Sequence, residues 1–203
     1  MSDVLSSPLL LVIDVGNTNT VFGLYEEDSL VADFRVETRR NRTGDEYYTL
    51  LEPLIRRSGY VLGDVKEVVV SSVVPRSFYP LSRMSRAITG KDPVTVDHVM
   101  DVGLTLKIHR PEEMGADRLV NAAAAYRQYG GCVVVDFGTA TTFDVVSGGG
   151  EYLGGCITPG VSISTDALSA YASSLPSIAR IRLRSALDAM WSGCFSRTIR
   201  KRL

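Results

Sequence analysis

Two stretches of this sequence repeat one pattern: LLVIDVGNTNTVFGLY at residues 10–25 and CVVVDFGTATTFDVV at residues 132–146. Each begins with a continuous apolar run, which is typical of a buried strand, and each run ends in Asp-x-Gly. Small hydroxyl or amide residues follow the glycine, and two further strands return. The aligned positions are Asp14 with Asp136, Gly16 with Gly138, and Thr20 with Thr142. The repeat predicts two lobes that share one architecture.

The residues after each repeated strand suit a phosphate-binding turn. Glycine lets the backbone approach a ligand closely, and successive N–H groups with small polar side chains can hold phosphate oxygens without a lysine. An aspartate at a strand end offers an oxygen to hydrated Mg²⁺ or another cation. A simple hairpin turn remains open for either copy alone, whereas the pair favours a nucleotide site. The sequence contains no G-x-G-x-x-G, and Gly90-Lys91 lacks the spacing of a P-loop.

The rest of the pattern alternates strands with helices and so indicates an α/β fold. Thr43 followed three residues later by Glu46 is a capping box, which predicts the start of the first helix. Predicted helices cover residues 44–58, 78–88, 114–129 and 161–172. Predicted strands cover residues 8–16, 20–25, 30–36, 67–74, 93–96, 132–136, 141–146 and 152–157.

Composition excludes several classes of protein. The chain has 203 residues, of which 45% are hydrophobic and 22% charged, with a net charge of −1; these values are typical of globular proteins. No apolar run approaches the ~18 residues of a membrane helix, and the N-terminus lacks the basic residues of a signal peptide. We therefore expect a cytoplasmic protein without a membrane partner. Three cysteines without C-x-x-C and two histidines argue against a disulfide framework, a zinc ribbon and a His-rich metal site.

The C-terminal residues 180–203 are strongly basic, with seven Lys or Arg against one acid. Such a segment can bind nucleic acid or an acidic membrane surface. The alternative, an unusual or poorly folded C-terminus, is favoured. Few aromatic residues interleave the arginines, so we expect no nucleic-acid partner.

The motif Gly115-Ala116-Asp117-Arg118 opens an alanine-rich helix. Arg118 carries a planar fork suited to a carboxylate or phosphate. Asp117 lies in the first turn, where the helix dipole favours its anion and allows it to accept a proton. Ordinary first-turn electrostatics and a salt bridge are the alternative interpretation.

Four motifs in this order, DVGNTNTVFGLY, GADRLVNAAAAY, DFGTATTFDVV and YLGGCITPG, resemble those of type III pantothenate kinase. That family belongs to the acetate kinase, sugar kinase, Hsp70 and actin superfamily. The resemblance covers Leu9 to Pro176. It implies duplicated actin-like (ribonuclease H-like) lobes at residues 1–112 and 113–203, the second incomplete. It also implies ATP-dependent phosphorylation of the primary hydroxyl of pantothenate, the first step towards coenzyme A, by a homodimer.

The resemblance also assigns roles to individual residues. Asp117 would be the base that takes the hydroxyl proton, Asp14 would hold Mg²⁺ through water, and Asp136 would coordinate K⁺ or NH₄⁺. The implied ATP-binding residues are Asp14, Val15, Gly16, Asn17, Thr18, Asn19, Thr20, Val21 and Thr139. The implied pantothenate-binding residues are Gly115, Ala116, Asp117 and Arg118.

The sequence departs from the family pattern in three places. Ile108 stands where the family has a substrate-contacting tyrosine, and Ala186 stands where a threonine reaches the partner's substrate. From about residue 178 the pattern fades into an atypical tail, which a truncated or frameshifted reading frame would explain; a shortened domain completed by a partner is the alternative. A non-catalytic regulatory relative is the alternative function, and the intact Asp14, Asp117 and Asp136 argue against it.

Overall fold

The computed structural model describes residues 8–171. The predictions for the basic C-terminal segment, for Ala186 and for the change of pattern near residue 178 lie outside these residues. The described chain forms two compact units. The first contains residues 8–100 and 115–117, and the second contains residues 101–114 and 118–171.

The first unit is built on a mixed five-stranded sheet of order β3-β2-β1-β4-β5. β1, β2 and β3 pair antiparallel as a meander, and β4 and β5 extend the sheet with parallel pairing. These strands are β1 Leu9–Val15, β2 Asn19–Glu26, β3 Ser29–Glu37, β4 Val65–Ser72 and β5 Val94–Thr95. The parallel pairing of β1 with β4 leaves both strand ends at the same edge of the sheet, so Asp14 lies beside Ser71.

Two helices complete this unit, α1 over Gly44–Arg57 and α2 over Phe78–Thr89. α1 begins at the predicted capping box: Glu46 N–H donates to Thr43 Oγ1 at 3.2 Å, and Thr43 N–H donates to Glu46 Oε2 at 2.6 Å. α2 ends at Gly90, which adopts the left-handed conformation with φ of 76°. Apolar side chains of the sheet and of both helices form one core that includes Leu11, Ile13, Phe22, Tyr47, Leu51, Ile55, Leu81 and Met84.

The second unit contains a four-stranded mixed sheet of order β6-β9-β8-β7. β7, β8 and β9 form an antiparallel meander, and β6 pairs with β9 in parallel. The strands are β6 Thr105–Leu106, β7 Cys132–Phe137, β8 Ala140–Val146 and β9 Glu151–Pro159. The helices are α3 Ala116–Tyr129, whose first two residues group with the first unit, and α4 Val161–Tyr171. Ala122 of α3 packs with Val146 and Tyr152 of the sheet in a small core.

The predicted fold class is confirmed, because two mixed sheets with flanking helices are present. Every predicted helix and strand within the described residues exists, with ends displaced by one or two residues in most cases. The sequence did not predict β6, which has only two residues. No helix within residues 8–171 is both long enough and apolar enough to cross a membrane.

The two repeated hairpins differ in register by one residue. Val15 pairs with Thr20 in the first hairpin, whereas the equivalent Phe137 pairs with Thr141 in the second. By the repeat in the sequence, Thr142 is the equivalent of Thr20. The second turn is tighter because Gly138 N–H donates to Ala140 O, two residues on, whereas the first glycine reaches three residues on. The structural equivalent of Thr20 is therefore Thr141, and both side chains are buried.

Candidate active site

Asp14 occupies the end of β1 between two strands. Its side chain is only 8% exposed, and Ser71 Oγ of β4 donates a hydrogen bond to its Oδ1 at 3.1 Å. Ser71 is itself fully buried. A buried carboxylate that accepts a hydrogen bond keeps a fixed orientation, since leaving it unpaired would cost free energy. The Asp14 carboxylate, which was predicted to hold Mg²⁺ through water, therefore has a fixed orientation.

The turn after β1 is held together from β3. Thr38 Oγ1 donates to Gly16 O at 2.8 Å and lies 2.9 Å from Thr20 Oγ1. Thr38 N–H donates to Thr18 O at 2.9 Å. Asn17 and Thr18, at the tip, are exposed. The structure therefore supports the turn from behind while its tip faces solvent, as a phosphate-binding turn requires.

The remaining residues of the predicted ATP motif have different surroundings. Val15 belongs to the hydrophobic core, so only its backbone can serve a ligand. Asn19 and Val21 lie half-buried on β2, where Val21 pairs with Asp14. Val15 O accepts a hydrogen bond from Val73 N–H at 3.1 Å. The motif thus contributes one carboxylate, a polar tip and a buried support.

Two residues that the sequence did not single out, Tyr47 of α1 and Arg42 just before it, lie behind this turn. Tyr47 is 1% exposed; burial raises the pKa of its hydroxyl, and a hydrogen bond with Thr20 opposes that rise. The guanidinium of Arg42 lies over the Tyr47 ring, 5.2 Å from its centroid. The Thr43–Glu46 capping box makes Tyr47 the fourth residue of α1, and its apolar neighbours at helical spacing could have indicated burial.

The segment Gly115–Asp117 groups with the first unit. A Cβ on Gly115 would lie 2.5 Å from Asp117 Oδ1 and 3.6 Å from Val73 Cγ1. The Asp117 carboxylate therefore folds back over Gly115, and a side chain at position 115 would displace it. Ala116 is buried and serves packing. Since Val73 also bonds to Val15, it connects the predicted base segment with the end of β1.

Arg118 begins the part of α3 that belongs to the second unit. Its guanidinium forms an ion pair with Asp144 of β8, with Nη2 2.6 Å from Asp144 Oδ1. The sequence placed Arg118 at the substrate and assigned no role to Asp144. Asp144 lies within the motif DFGTATTFDVV, and this position was the available signal that it has a function.

The second repeated loop carries the predicted cation and phosphate ligands. Asp136, at the end of β7, is half-buried and lies opposite Thr142 in the β7–β8 register. Asn121 Nδ2 of α3 donates to Asp136 Oδ2 at 3.4 Å. Thr139 is exposed, and its carbonyl accepts from Gly160 N–H at 3.1 Å. A Cβ on Gly160 would lie 2.4 Å from both Gly138 O and Thr139 O, so glycine is required where α4 meets this loop.

Ile108, which replaces the expected tyrosine, packs against the small core around Ala122, Val146 and Tyr152. It is half-buried. Its side chain therefore stabilises the second unit.

The donor sets fit the implied ions. Mg²⁺ in nucleotide sites keeps several waters and needs only one or two carboxylates besides the phosphates, and Asp14 supplies one. Within residues 8–171 there is no group of three or more His, Cys, Asp or Glu side chains. A weakly held monovalent cation needs oxygen ligands instead, and Asp136, whose partner in the strand register is Thr142, would offer a carboxylate oxygen.

Comparison with known proteins decides the family. A profile of type III pantothenate kinase matches residues 10–200, well past Pro176, where the resemblance of the quoted motifs ends. The chain belongs to the type III pantothenate kinase family. The resemblance that the four motifs predicted is thereby confirmed.

Members of the type III pantothenate kinase family align along most of this chain. The protein named type III pantothenate kinase of Syntrophotalea carbinolica is 47% identical over 84% of the chain and 67% of its own length. Its namesake from Geobacter sulfurreducens is 45% identical over 92% of the chain and 76% of its own length. Among solved structures, a reductive activator for a corrinoid, iron-sulfur protein aligns with a TM-score of 0.50 and 11% identity, over 72% of this chain and 30% of that one. That likeness concerns the fold alone.

Proposed function

We propose that this protein transfers the γ-phosphoryl group of ATP to the primary hydroxyl of pantothenate, which yields 4′-phosphopantothenate and ADP. The observation that carries the proposal is the match of the type III pantothenate kinase profile to residues 10–200. The three motif carboxylates, Asp14, Asp117 and Asp136, are all present in this chain. Relatives at 45–47% identity bear the same kinase name.

Phosphoryl transfer depends on positioning and charge stabilisation more than on covalent chemistry. Asp117 accepts the proton of the pantothenate hydroxyl, the hydroxyl oxygen bonds to the γ-phosphorus, and the bond from phosphorus to the ADP oxygen breaks. Arg118 holds the substrate. The polar tip at Asn17 and Thr18, together with Thr139, binds the phosphates.

Ions complete the proposed site. Asp14 would hold Mg²⁺ through water, and Asp136 with Thr142 would hold K⁺ or NH₄⁺. Bound cations supply the positive charge that neutralises the phosphates, which explains why the turn needs no lysine. We further propose a homodimer, as the family resemblance implies, and a cytoplasmic location, as expected from the composition and the N-terminal sequence.

The test is coupled ADP release from the purified chain with ATP, Mg²⁺ and pantothenate, with and without K⁺ or NH₄⁺. Asp117→Asn should lower kcat by on the order of 10²–10⁴, the usual contribution of a general base. Asp45→Asn is the matched control, because Asp45 is an exposed acid in the first turn of α1. It removes the same helix-dipole interaction and should leave kcat unchanged. Absence of pantothenate-dependent ADP release by the wild type would refute the proposed activity.

A further inference from the structure

Asp144 is a buried charge for which the reaction described above has no use. It lies on β8 and is 1% exposed. Asp14 is the other buried acid among residues 8–171, and it is 8% exposed. Burying a carboxylate costs free energy unless it is paired and hydrogen-bonded. The partners of Asp144 therefore indicate what Asp144 does.

Two hydrogen bonds and an ion pair meet at a single oxygen of Asp144. Arg118 Nε donates to Oδ1 at 2.9 Å, and Arg118 Nη2 lies 2.6 Å from the same atom. The hydroxyl of Tyr152, which is 1% exposed, also donates to Oδ1. The Asp144 carboxylate therefore faces the Nε–Nη2 edge of the Arg118 guanidinium, and the Tyr152 hydroxyl holds the carboxylate in place.

The backbone leaves room for this arrangement at one place on β9. A Cβ on Gly155 would lie 2.6 Å from Arg118 Nη2 and 1.9 Å from Phe143 O. The guanidinium therefore passes directly over a glycine. Its side chain is 17% exposed, so the group is enclosed by the strand on one side and by its carboxylate partner on another.

Such a pair contributes little to stability. Removing two charges from water costs several kcal/mol per ion, and apolar replacements of buried ion pairs are often neutral or stabilising. What the pair does supply is orientation, because the Nε hydrogen bond and the ion pair at Nη2 hold that edge of the guanidinium against Asp144. The direction of the opposite edge is then fixed before any ligand arrives, and preorganisation of this kind lowers the cost of binding.

We propose that Asp144, supported by Tyr152, is a positioning residue that holds Arg118 in the orientation in which it binds the carboxylate-bearing substrate. The inference rests on the proposed function, since pantothenate is the substrate in question. Asp144 acts through Arg118 and does not contact the reacting atoms. Its loss should therefore raise the KM for pantothenate and leave the KM for ATP within about twofold.

The first experiment compares steady-state kinetics of the full chain with those of Asp144→Asn, Tyr152→Phe and the control Tyr126→Phe. Tyr126 is a tyrosine of α3 whose hydroxyl makes only a 3.5 Å contact with Gly148 O. Asp144→Asn should raise the pantothenate KM by about tenfold or more, the loss of a charged hydrogen bond. Tyr152→Phe should raise it by a smaller factor, and Tyr126→Phe should not change it. A fall in kcat with an unchanged pantothenate KM would overturn the proposal, and Tyr152→Phe decides if Asp144→Asn does not fold.

The second experiment does not require turnover. The ¹⁵N resonance of Arg118 Nε, assigned by its loss in Arg118→Lys, is followed during titration with pantothenate. In the wild type the Arg118 Nε resonance should shift when pantothenate binds. In Asp144→Asn the resonance should lie at a different position before any ligand is added, and the titration should give a pantothenate affinity at least tenfold lower. If the wild type releases no ADP yet this shift is seen, the kinase proposal fails and the positioning proposal stands. The positioning proposal would be overturned if the Arg118 resonance of the wild type does not shift with pantothenate. It would also be overturned if Asp144→Asn binds pantothenate as tightly as the wild type does.

Discussion

The two aspartates that end the repeated strands have different surroundings, although the sequence pattern treats them alike. Asp14 lies on an inner strand, with β2 on one side and β4 on the other, and it is bonded by Ser71. Asp136 lies on β7, at the outer position of the described sheet, with a 3.4 Å contact from Asn121. The carboxylates could be predicted from the repeat, but Ser71 is 57 residues from Asp14 in sequence. Only the pairing of β1 with β4 brings them together.

A substitution at Ser71 tests whether this hydrogen bond matters for nucleotide binding. Ser71→Ala removes the donor to Asp14, and a hydrogen bond to a charged group contributes about 1.5–3 kcal/mol. We expect the free energy of unfolding to fall by about that amount, and the Mg²⁺-dependent affinity for ADP to fall because the carboxylate is no longer held. Chemical denaturation and calorimetric titration with MgADP measure the two quantities.

Ser85→Ala is the matched control for Ser71→Ala. Ser85 is equally buried, and its hydroxyl donates to the neutral carbonyl of Lys91 at 2.8 Å. Its loss should lower the free energy of unfolding by about 1 kcal/mol, the usual value for a neutral hydrogen bond, and should leave MgADP affinity unchanged. If both variants bind MgADP as the wild type does, Ser71 has no part in the nucleotide site.

Local patterns predict most elements of this protein, and pairings across the chain account for what they miss. The capping box fixed the start of α1 because both of its hydrogen bonds form within four residues. β6 could not be predicted, because its two residues become a strand only by pairing with Glu151 and Tyr152. The one-residue register difference between the hairpins likewise depends on which carbonyl the loop glycine reaches. The Arg118–Asp144 pair escaped prediction for the same reason, since the two residues are 26 positions apart.

The capping box of α1 gives a prediction at the scale of a single helix. Thr43→Ala removes the side-chain acceptor for Glu46 N–H, which should lower the free energy of unfolding by about 1 kcal/mol. Thr43→Ser should retain most of it. Thr49→Ala is the control, because Thr49 is exposed within the same helix and its hydroxyl bonds only to Asp45 O. Denaturation in urea at pH 7 measures all three, and a Thr43→Ala curve that coincides with that of Thr49→Ala would contradict the role of the cap.

The contribution of the Thr43–Glu46 capping box to the free energy of unfolding should depend on pH. The N–H and hydroxyl of Thr43 hold the pKa of Glu46 below its ordinary value. Because the folded pKa is lowered, the charged form stabilises the folded state above the unfolded pKa, and this stabilisation is lost as pH falls through the folded pKa. The free energy of unfolding of the wild type should therefore fall relative to that of Glu46→Gln, which cannot ionise, when urea denaturation is repeated in acid.

The residues to which the motifs assign roles are distributed over both units of the described chain. Asp14 and Asp117 group with the first unit, whereas Arg118, Asp136 and Asp144 group with the second. Within the GADR motif, Asp117 therefore groups with one unit and Arg118 with the other. The repeat predicted two lobes, and the proposed boundary between residues 112 and 113 stays a prediction. What the contacts add is that Asp117 and Arg118, the proposed base and the proposed substrate arginine, have different sets of neighbours.

This division predicts separable ligand effects on the stability of the whole molecule. A ligand that binds only the folded chain raises stability by RT ln(1 + [L]/Kd), about 2.7 kcal/mol at a hundredfold excess over Kd. MgADP and pantothenate should each raise the Tm of the wild type. Asp14→Asn should abolish the shift caused by MgADP and keep the shift caused by pantothenate, because in the proposed site Asp14 holds the ion and Arg118 holds the substrate. Asp144→Asn should do the reverse, since it releases Arg118 and leaves β1 untouched. Loss of both shifts in both variants would mean that the variants unfold the site as one body, and the assignment of separate roles to Asp14 and Asp144 would fail.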